Sequence, residues 1–257
     1  MTAAGAPPPD DDPNRRIYRS YVSSGARVAI PQDGSEVGPR APYLKRLVRN
    51  LFPADRQARV LDLGCGDGAL LFVAQQAGYR QITGVDLSPE QVEIARSRGL
   101  PRIEEAEIMP FLAAQPAQSY DLVIAFDVIE HLSKPELMAV MGEIHRVLRD
   151  GGRWIIHVPN AQSPFFGRIR YGDFTHEMAF TQRSLASVLR VTGFAAIECF
   201  EDQPTAHGLV SLIRLMLWKI LINGLRLYIM IESGERGDDL IFSQNLLAIA
   251  SKPAARE

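Results

Sequence analysis

Glycines and aspartates that could bind a small ligand are concentrated in one segment, VLDLGCGDGALL. Its apolar runs on either side of three glycines predict a strand, a tight turn and the start of a helix. The backbone can approach a ligand closely at Gly64, Gly66 and Gly68. Asp62 precedes the turn and Asp67 lies within it. Because carboxylates repel a diphosphate and attract a cation, this G-x-G-x-G turn favours a ligand with an ammonium group.

The next two predicted strands also end in residues suited to a nucleoside. Asp86 ends the strand ITGVD, where a carboxylate can accept hydrogen bonds from both hydroxyls of a ribose. Glu107 follows a third predicted strand and could accept a hydrogen bond from the adenine amine, with Ile108 packed against the ring. Leu87 and Gln91 could line the other side of the ring. The alternative interpretation is an ordinary nucleotide-binding fold with solvated surface acids.

The order of the elements predicts the architecture that brings these residues together. The apolar runs RVLDLG, ITGVDL, YDLVIAF and RWIIHVPN alternate with helical patterns, as βαβ units do. We expect a Rossmann-like, doubly wound α/β fold with helices on both faces of a seven-stranded, mostly parallel sheet. The last run, SQNLLAIASKP, has no helix after it and is expected to close the sheet as an antiparallel strand. Ligands bind such sheets at the carboxyl ends of the strands.

Composition restricts the classes of function. The chain has 257 residues and a formal net charge of -2, which gives no reason to expect a nucleic-acid partner. Cys65 and Cys199 cannot form a disulfide framework and show no metal-ligand spacing, so the sequence predicts a reducing cytoplasm and no metal site. The N-terminal residues are acidic and rich in proline, unlike a signal peptide.

Four regions follow from the pattern along the chain. Residues 1–16 are expected to form a disordered tail. An arm and a leading helix are predicted for 17–57, and the catalytic domain for 58–257. Within that domain, 201–242 is expected to be an amphipathic helical insertion before the last strand.

Several motifs in their expected order resemble the class I S-adenosyl-L-methionine-dependent methyltransferase family. VLDLGCGDG, GVDLSPEQ, AEIMPF, YDLVIAFDVIEHL and VLRDGGRWIIHVPN resemble its successive motifs over roughly residues 58 to 200. Glu107 departs from the family, in which aspartate is commoner at that position. The resemblance implies an enzyme that converts S-adenosyl-L-methionine to S-adenosyl-L-homocysteine. It also implies these cofactor-binding residues: Asp62, Gly64, Cys65, Gly66, Asp86, Leu87, Gln91, Glu107, Ile108 and Phe126. For Cys65, a small residue that only fits the turn is the simpler interpretation.

Methyl transfer to a neutral hydroxyl requires removal of a proton, which makes the acids and histidines after two strands candidates. The candidates are Asp127, Glu130, His131, Asp173, His176 and Glu177. His176 is the preferred general base, because histidine titrates near neutrality and its loop should overhang the methyl group. Asp173 and His131 complete the predicted catalytic set. A purely structural role is the alternative for His176, and is favoured for His131.

The segment GDFTHEMAFTQRSLASVLRVTGF resembles a D-x-T-H-x-x-x-F-T-x-x-S-L pattern of bacterial methyltransferases in surface-polysaccharide and glycoconjugate biosynthesis. This resemblance implies a sugar hydroxyl of a saccharide, glycolipid or glycosylated metabolite as acceptor. A quinone or small aromatic phenol is the second candidate, because the Glu-His pair is shared with ubiquinone-pathway methyltransferases. A noncatalytic cofactor-binding module is the third.

The segment from Leu209 to Ile231 is apolar but carries Arg214, Lys219 and Arg226. Three cations would make insertion across a bilayer costly, by roughly 2.5 to 3.5 kcal/mol each. On a helical wheel the cations share one half, and apolar side chains fill the other. Such a face could rest on an anionic membrane at the inner surface, cover the acceptor pocket, or form a homodimer.

Overall fold

The computed structural model describes residues 17–18, 37–234 and 240–254. The tail predicted for 1–16 lies outside the described residues, as does most of the predicted arm. The leading helix is α1, Ala41–Leu51, which follows a short 3-10 turn at Gly38–Arg40. It buries Leu44, Leu47 and Val48.

One seven-stranded sheet forms the centre of the domain, in the order β3-β2-β1-β4-β5-β7-β6. Neighbouring strands are parallel, except that β7 runs antiparallel to both β5 and β6. The predicted fold class is therefore confirmed. The strands are β1 Val60–Leu63, β2 Ile82–Asp86, β3 Ile103–Glu105, β4 Tyr120–Phe126, β5 Leu148–Pro159, β6 Ala195–Glu201 and β7 Asn245–Ser251.

Helices cover both faces of the sheet. They are α2 Ala69–Gln76, α3 Pro89–Ser97, α4 Ile108–Ala114, α5 Lys134–Val147, α6 Phe166–Arg170, α7 Gln182–Val191 and α8 Leu209–Ser233, with a 3-10 turn at Ile129–His131. Capping residues fix several starts: the Ser88 side chain accepts a hydrogen bond from the Gln91 N–H, and Ser133 forms a capping box with Glu136.

The core consists of two apolar layers, one on each side of the sheet. In β4, Val123 and Ala125 point into the layer that contains Trp154, whereas Leu122 and Ile124 point into the other. Burial on both faces explains why the central strands are nearly continuous apolar runs in the sequence.

The order of the strands reverses between β1 and β4, which lie side by side at the centre of the sheet. Connections leave these two strands in opposite directions, so a crevice opens between them at their carboxyl ends. The sequence places Asp62 and the glycine turn at the end of β1, and Phe126 and Asp127 at the end of β4. The topology therefore positions the candidate site at this crevice.

Helix α8 differs from the others, because little of it packs on the domain. Of its 25 residues, only Ser211 and Ile222 are buried within the described chain. All nine side chains of the apolar half predicted from the sequence are exposed: Leu209, Ile213, Met216, Leu217, Ile220, Leu221, Leu227, Tyr228 and Ile231. Among the described residues, no helix is both long and apolar enough to cross a membrane.

Candidate active site

A cavity of about 620 Å³ lies at the crevice, within the size range of small-molecule sites. It contains most of the residues predicted to bind the cofactor and all three predicted catalytic residues. On its wall are Gly64, Gly66, Asp86, Leu87, Gln91, Glu107, Ile108, Phe126, His131, Asp173 and His176. Two predicted residues, Asp62 and Cys65, are not on the wall.

The glycine turn is built for close contact with a ligand. Gly64 has φ +65°, and a Cβ atom there would lie 2.5 Å from Cγ2 of Val128, so a side chain at this position would be strained and would clash. The Gly66 N–H donates a 2.8 Å hydrogen bond to Oδ2 of Asp86, and the Ser88 N–H donates one of 2.8 Å to Oδ1. These two bonds fix the Asp86 carboxylate at the edge of the cavity.

Asp62 lies just beneath the turn and is 2% exposed. Its Oδ1 atom has no hydrogen-bond partner among the described residues. Burial raises the pKa of Asp62 to about 8, and the charges of Asp86 and Asp67 add to this effect. A buried carboxylate without a cationic partner is costly, and an ammonium group would supply that partner.

Asp67 is paired with a cation, in contrast to the ligand-binding role suggested by its position in the turn. Its Oδ2 lies 2.9 Å from Nη2 of Arg98, and the Arg98 Nε–H donates to the Asp67 carbonyl at 2.8 Å. Arg98 and Asp67 are both buried. The pair ties the turn to the end of α3, and leaves Asp62 as the acid available to a cation.

Cys65 points away from the cavity. A Cβ atom on Gly84 of the neighbouring strand would lie 2.7 Å from the Cys65 sulfur, so the thiol fills the space that this glycine leaves. Burial raises the pKa of the Cys65 thiol well above its ordinary value. This position favours the interpretation of Cys65 as a small packing residue, with only its backbone near the turn.

The opposite end of the crevice suits a flat ring. Glu107 is the N-cap residue of α4, and Ile108 and Leu87 also lie on the wall. Gln91 is buried, and its Oε1 has no hydrogen-bond partner in the described part of the chain. Apolar walls with a few polar atoms at the rim are typical of an adenine site.

A buried histidine supports the floor of the cavity. The ring of His157 stacks on Phe126 with 3.9 Å between centroids, and its Nδ1 and Nε2 lie 2.5 Å and 3.2 Å from the carboxylates of Asp127 and Asp202. Burial alone would lower the pKa of His157, but the two carboxylates outweigh it and raise the pKa to about 10. His157 is therefore an imidazolium at neutral pH, with a structural role in the floor.

This charge gives a pH-dependent contribution to stability. Because the folded pKa lies above the ordinary 6.5, the contribution is complete below about pH 6.5 and is lost as pH rises through about 10. We expect His157→Gln to lower the free energy of unfolding by about 3 kcal/mol at pH 6.5 and by much less at pH 10. Urea unfolding at both pH values measures the difference, with His207→Gln, at an exposed histidine, as control. An equal loss at both pH values would contradict the ion pairs.

The predicted catalytic histidines lie next to each other, with 4.7 Å between ring centroids. Thr175 Oγ1 donates to Oδ1 of Asp173 at 2.6 Å and lies 2.8 Å from Nδ1 of His131. Since the one hydroxyl proton is used on Asp173, Nδ1 of His131 must donate to Thr175. Nδ1 of His176 donates to the Ile169 carbonyl at 3.1 Å. In the neutral form of each ring, the lone pair therefore lies on Nε2.

Glu130 lies beside these two rings and is 0% exposed. Neither of its carboxylate oxygens has a hydrogen-bond partner among the residues described. Its backbone carbonyl accepts hydrogen bonds from the N–H groups of Glu177 and Met178, at 2.8 and 3.1 Å. These bonds attach the loop that carries His176 to the 3-10 turn that carries His131.

The structure also adds residues that sequence reasoning missed. Tyr18 lines the cavity, and its ring meets His131 edge-on with 6.0 Å between centroids. Tyr18 is far from the other cavity residues in the sequence, and no periodic pattern includes it. Thr175 was inside a motif already singled out, and its spacing from Asp173 is the signal that could have identified it.

Comparisons with known proteins agree with this geometry. Residues 39–199 match the family described as "Methyltransferase domain". The match covers more than half of the chain, which therefore belongs to this family of class I, S-adenosyl-L-methionine-dependent methyltransferases.

Among curated proteins, the chain is similar to ubiquinone biosynthesis O-methyltransferases. It is 36% identical over 110 residues to that of Xanthomonas oryzae pv. oryzae (strain PXO99A), covering 40% of this chain and 44% of the relative. The enzyme of Xylella fastidiosa (strain 9a5c) is 34% identical over 110 residues, covering 40% and 42%. The chain thus spans less than half the length of these relatives.

Solved structures show the same fold. A SAM-dependent methyltransferase from Archaeoglobus fulgidus superposes with a TM-score of 0.63 and 21% identity, covering 84% of this chain and 95% of that one. A possible histamine N-methyltransferase from Thermotoga maritima gives a TM-score of 0.60 and 17% identity, covering 92% and 98%.

The described residues fit S-adenosyl-L-methionine. The unpaired oxygen of Asp62 and the side-chain-free surface at Gly64 suit the ammonium end of its methionine part. At the other end, Oε1 of Gln91 is a buried acceptor without a partner among the described side chains.

Proposed function

We propose that this protein is an O-methyltransferase that transfers the methyl group of S-adenosyl-L-methionine to a hydroxyl oxygen, most readily that of a sugar. The observation that carries the proposal is the pair of imidazoles on the cavity wall, each with its Nδ1 engaged in a hydrogen bond, so that the neutral ring carries its lone pair on Nε2. When bound, the cofactor supplies an electrophilic methyl group on a sulfonium. The acceptor must then lose a proton, and these lone pairs can take it.

The other residues of the site hold and orient the cofactor in this proposal. Asp62 binds the ammonium group, Asp86 the ribose hydroxyls, and Glu107 the adenine amine, with Leu87 and Ile108 against the ring. Phe126 forms the floor, on the imidazolium of His157. His176 takes the proton from the acceptor hydroxyl, and Asp173 keeps His131 oriented through Thr175.

A sugar hydroxyl needs this proton acceptor more than a phenol does. A phenol has a pKa near 10 and ionises far more readily than an aliphatic alcohol. Two oriented histidines beside the methyl site therefore favour an alcohol, in line with the resemblance of the loop to polysaccharide and glycoconjugate methyltransferases. A quinone-type phenol remains the second candidate, because the relatives named above are ubiquinone biosynthesis O-methyltransferases.

An acceptor screen tests the function. Purified protein and S-adenosyl-L-methionine carrying a labelled methyl group are incubated with sugar nucleotides, alkyl glycosides and catechols. We expect label transfer to a hydroxyl of a saccharide. Transfer to catechols alone would favour the quinone alternative, and cofactor binding without transfer to any acceptor would favour a noncatalytic module.

We also propose that α8 places the protein on the inner surface of an anionic membrane. At 100° per residue, the exposed apolar side chains occupy about half of the helix, on the side opposite Ser211 and Ile222. Arg214 and Lys219 are exposed near the two borders of this half. Arg226, by contrast, pairs with Glu201 at 3.1 Å on the domain. An apolar surface bordered by cations suits anionic lipid.

Vesicle co-sedimentation tests this placement. We expect binding to vesicles that contain phosphatidylglycerol. Binding should be at least about tenfold weaker for Leu217→Glu combined with Leu221→Glu, because this variant replaces two leucines that the lipid would bury. Val191→Glu is the matched control, because Val191 is 76% exposed on a different helix. Equal recovery with and without vesicles would refute the proposal, and a stable dimer in light scattering would assign the same surface to a second subunit.

A further inference from the structure

Glu130, His131 and His176 form a compact group at the acceptor end of the cavity. One potential ligand atom from each residue can be chosen so that the three lie within 4.8 Å of one another. They come from two different loops, held together by the hydrogen bonds from the loop of His176 to the Glu130 carbonyl. The three side chains therefore converge through tertiary structure on one point of the cavity wall.

Both histidines present the nitrogen that a metal needs. The Nδ1–H of His131 is used on Thr175, which is in turn bonded to Asp173, and the Nδ1–H of His176 is used on the Ile169 carbonyl. Metal-binding histidines almost always donate their second N–H to a carboxylate, a backbone carbonyl or water; His176 donates to a carbonyl, and His131 reaches the Asp173 carboxylate through the Thr175 hydroxyl. The arrangement thus fixes the tautomer in which Nε2 is a ligand.

The carboxylate of Glu130 lacks the partner that its burial demands. It is fully buried, and neither oxygen has a hydrogen-bond partner in the described parts of the chain. Buried acids in proteins are paired or coordinate metals, since an unsatisfied buried carboxylate is destabilising. A cation between the three groups would satisfy all of them.

We propose that Glu130, His131 and His176 bind a divalent transition-metal cation whose open coordination positions face the acceptor. Two imidazoles and one carboxylate are the ligand set of catalytic zinc sites and of nonheme iron sites. Imidazole ligands favour Zn²⁺ or Fe²⁺ over Mg²⁺. Ligand atoms about 2.1 Å from a tetrahedral cation lie about 3.4 Å apart, so binding requires the group, whose ligand atoms lie within 4.8 Å of one another, to contract by up to about 1.4 Å.

The catalytic consequence rests on the proposed function, whereas the binding site itself does not. An acceptor hydroxyl bound at the open position would have its pKa lowered by the charge of the cation. Its O–H bond would break, the electron pair would stay on oxygen, and the proton would pass to water. In this form His176 acts on the acceptor by holding the cation, and in the cation-free protein it takes the proton itself.

Cobalt binding tests the site without any methyl transfer. Chelator-treated, dialysed wild-type protein is titrated with Co²⁺ and followed by its visible absorption and by calorimetry. We expect one saturable Co²⁺ per chain, displaced by Zn²⁺, with affinity at least about tenfold lower in Glu130→Gln and in His176→Gln. The controls are Glu104→Gln and His207→Gln, at exposed positions of the same residue types, which should bind like the wild type. Circular dichroism establishes that each variant is folded.

Two results would overturn the proposal: no saturable Co²⁺ binding by the wild type, or binding that both ligand variants retain. The first result is measured on the wild type alone, so the proposal can be refuted even if Glu130→Gln fails to fold. Chelation separates this proposal from the function. If the chelator-treated protein transfers methyl groups at the full rate and also fails to bind Co²⁺ in the titration, the metal site is refuted and the O-methyltransferase function is not. Stoichiometric Co²⁺ binding without transfer to any hydroxyl refutes the O-methyltransferase alone.

Discussion

His176→Ala is expected to lower turnover by a factor on the order of 100 or more, while affinity for S-adenosyl-L-homocysteine stays nearly unchanged. The reason is the position of His176 on the part of the cavity wall where we propose that the acceptor binds, in a different loop from Asp62, Asp86 and Glu107. Initial rates with the acceptor identified in the screen measure turnover, and calorimetry with the homocysteine product measures affinity. The loss should be greater for a sugar alcohol than for a phenol, which needs less help to ionise.

A matched control separates chemistry from general damage. His207→Ala removes an exposed histidine that does not line the cavity, and should leave turnover unchanged. A loss of turnover in His176→Ala accompanied by an equal loss of cofactor affinity would indicate a structural role for the loop. Unaltered turnover would remove His176 from the site chemistry altogether.

Asp62→Asn is expected to stabilise the ligand-free protein and to weaken cofactor binding, on the order of 100-fold. The two effects have opposite signs because Oδ1 of the buried Asp62 carboxyl has no hydrogen-bond partner among the described residues, whereas a bound ammonium group would supply one. Calorimetry with S-adenosyl-L-homocysteine measures the binding, and urea unfolding of ligand-free protein measures the stability. Asp67→Asn is the contrasting variant in the same turn, and should destabilise the protein because it breaks the buried pair with Arg98.

The stabilisation by Asp62→Asn has a defined pH dependence. With its pKa raised to about 8, Asp62 stays protonated in the folded chain where the unfolded chain has released the proton. Its cost is therefore absent below about pH 4, grows as pH rises toward 8, and is constant above that. At pH 7 the variant should be more stable by about 2 kcal/mol or more. Lower stability than the wild type at pH 7 would show that Asp62 has a partner in the free protein.

The fold could be predicted in detail because it rests on local patterns. Apolar runs buried on both faces, such as those of β1 and β4, have a sequence signature that solvent-exposed strands lack. The missing helix after Asn245–Ser251 was enough to predict an antiparallel last strand. Helix α8 was predicted from its periodicity, but periodicity could not tell that its apolar half faces away from the domain, because that depends on what the chain places beside it.

The cofactor end of the site was more predictable than the acceptor end. Most of its residues lie at the ends of β1, β2 and β4, so the parallel sheet brings them to one edge whatever their detailed packing. The orientations of Cys65 and Asp67 could not be predicted, because a side chain in a tight turn can point toward the ligand or away from it. Here Cys65 packs into the space at Gly84, and Asp67 pairs with Arg98.

By itself the sequence determined the class of fold, the sheet edge at which the candidate site residues meet and the residue types present there, because strand ends and turns are encoded locally. Only the tertiary structure decided which of those residues have partners. It left Oδ1 of Asp62 and both carboxylate oxygens of Glu130 buried without hydrogen-bond partners among the described residues, used both Nδ1 atoms of the histidine pair, and turned an apolar helix face outward. The physical reason is that hydrogen bonding and burial depend on neighbours that are distant in the chain, and no spacing along the chain specifies them.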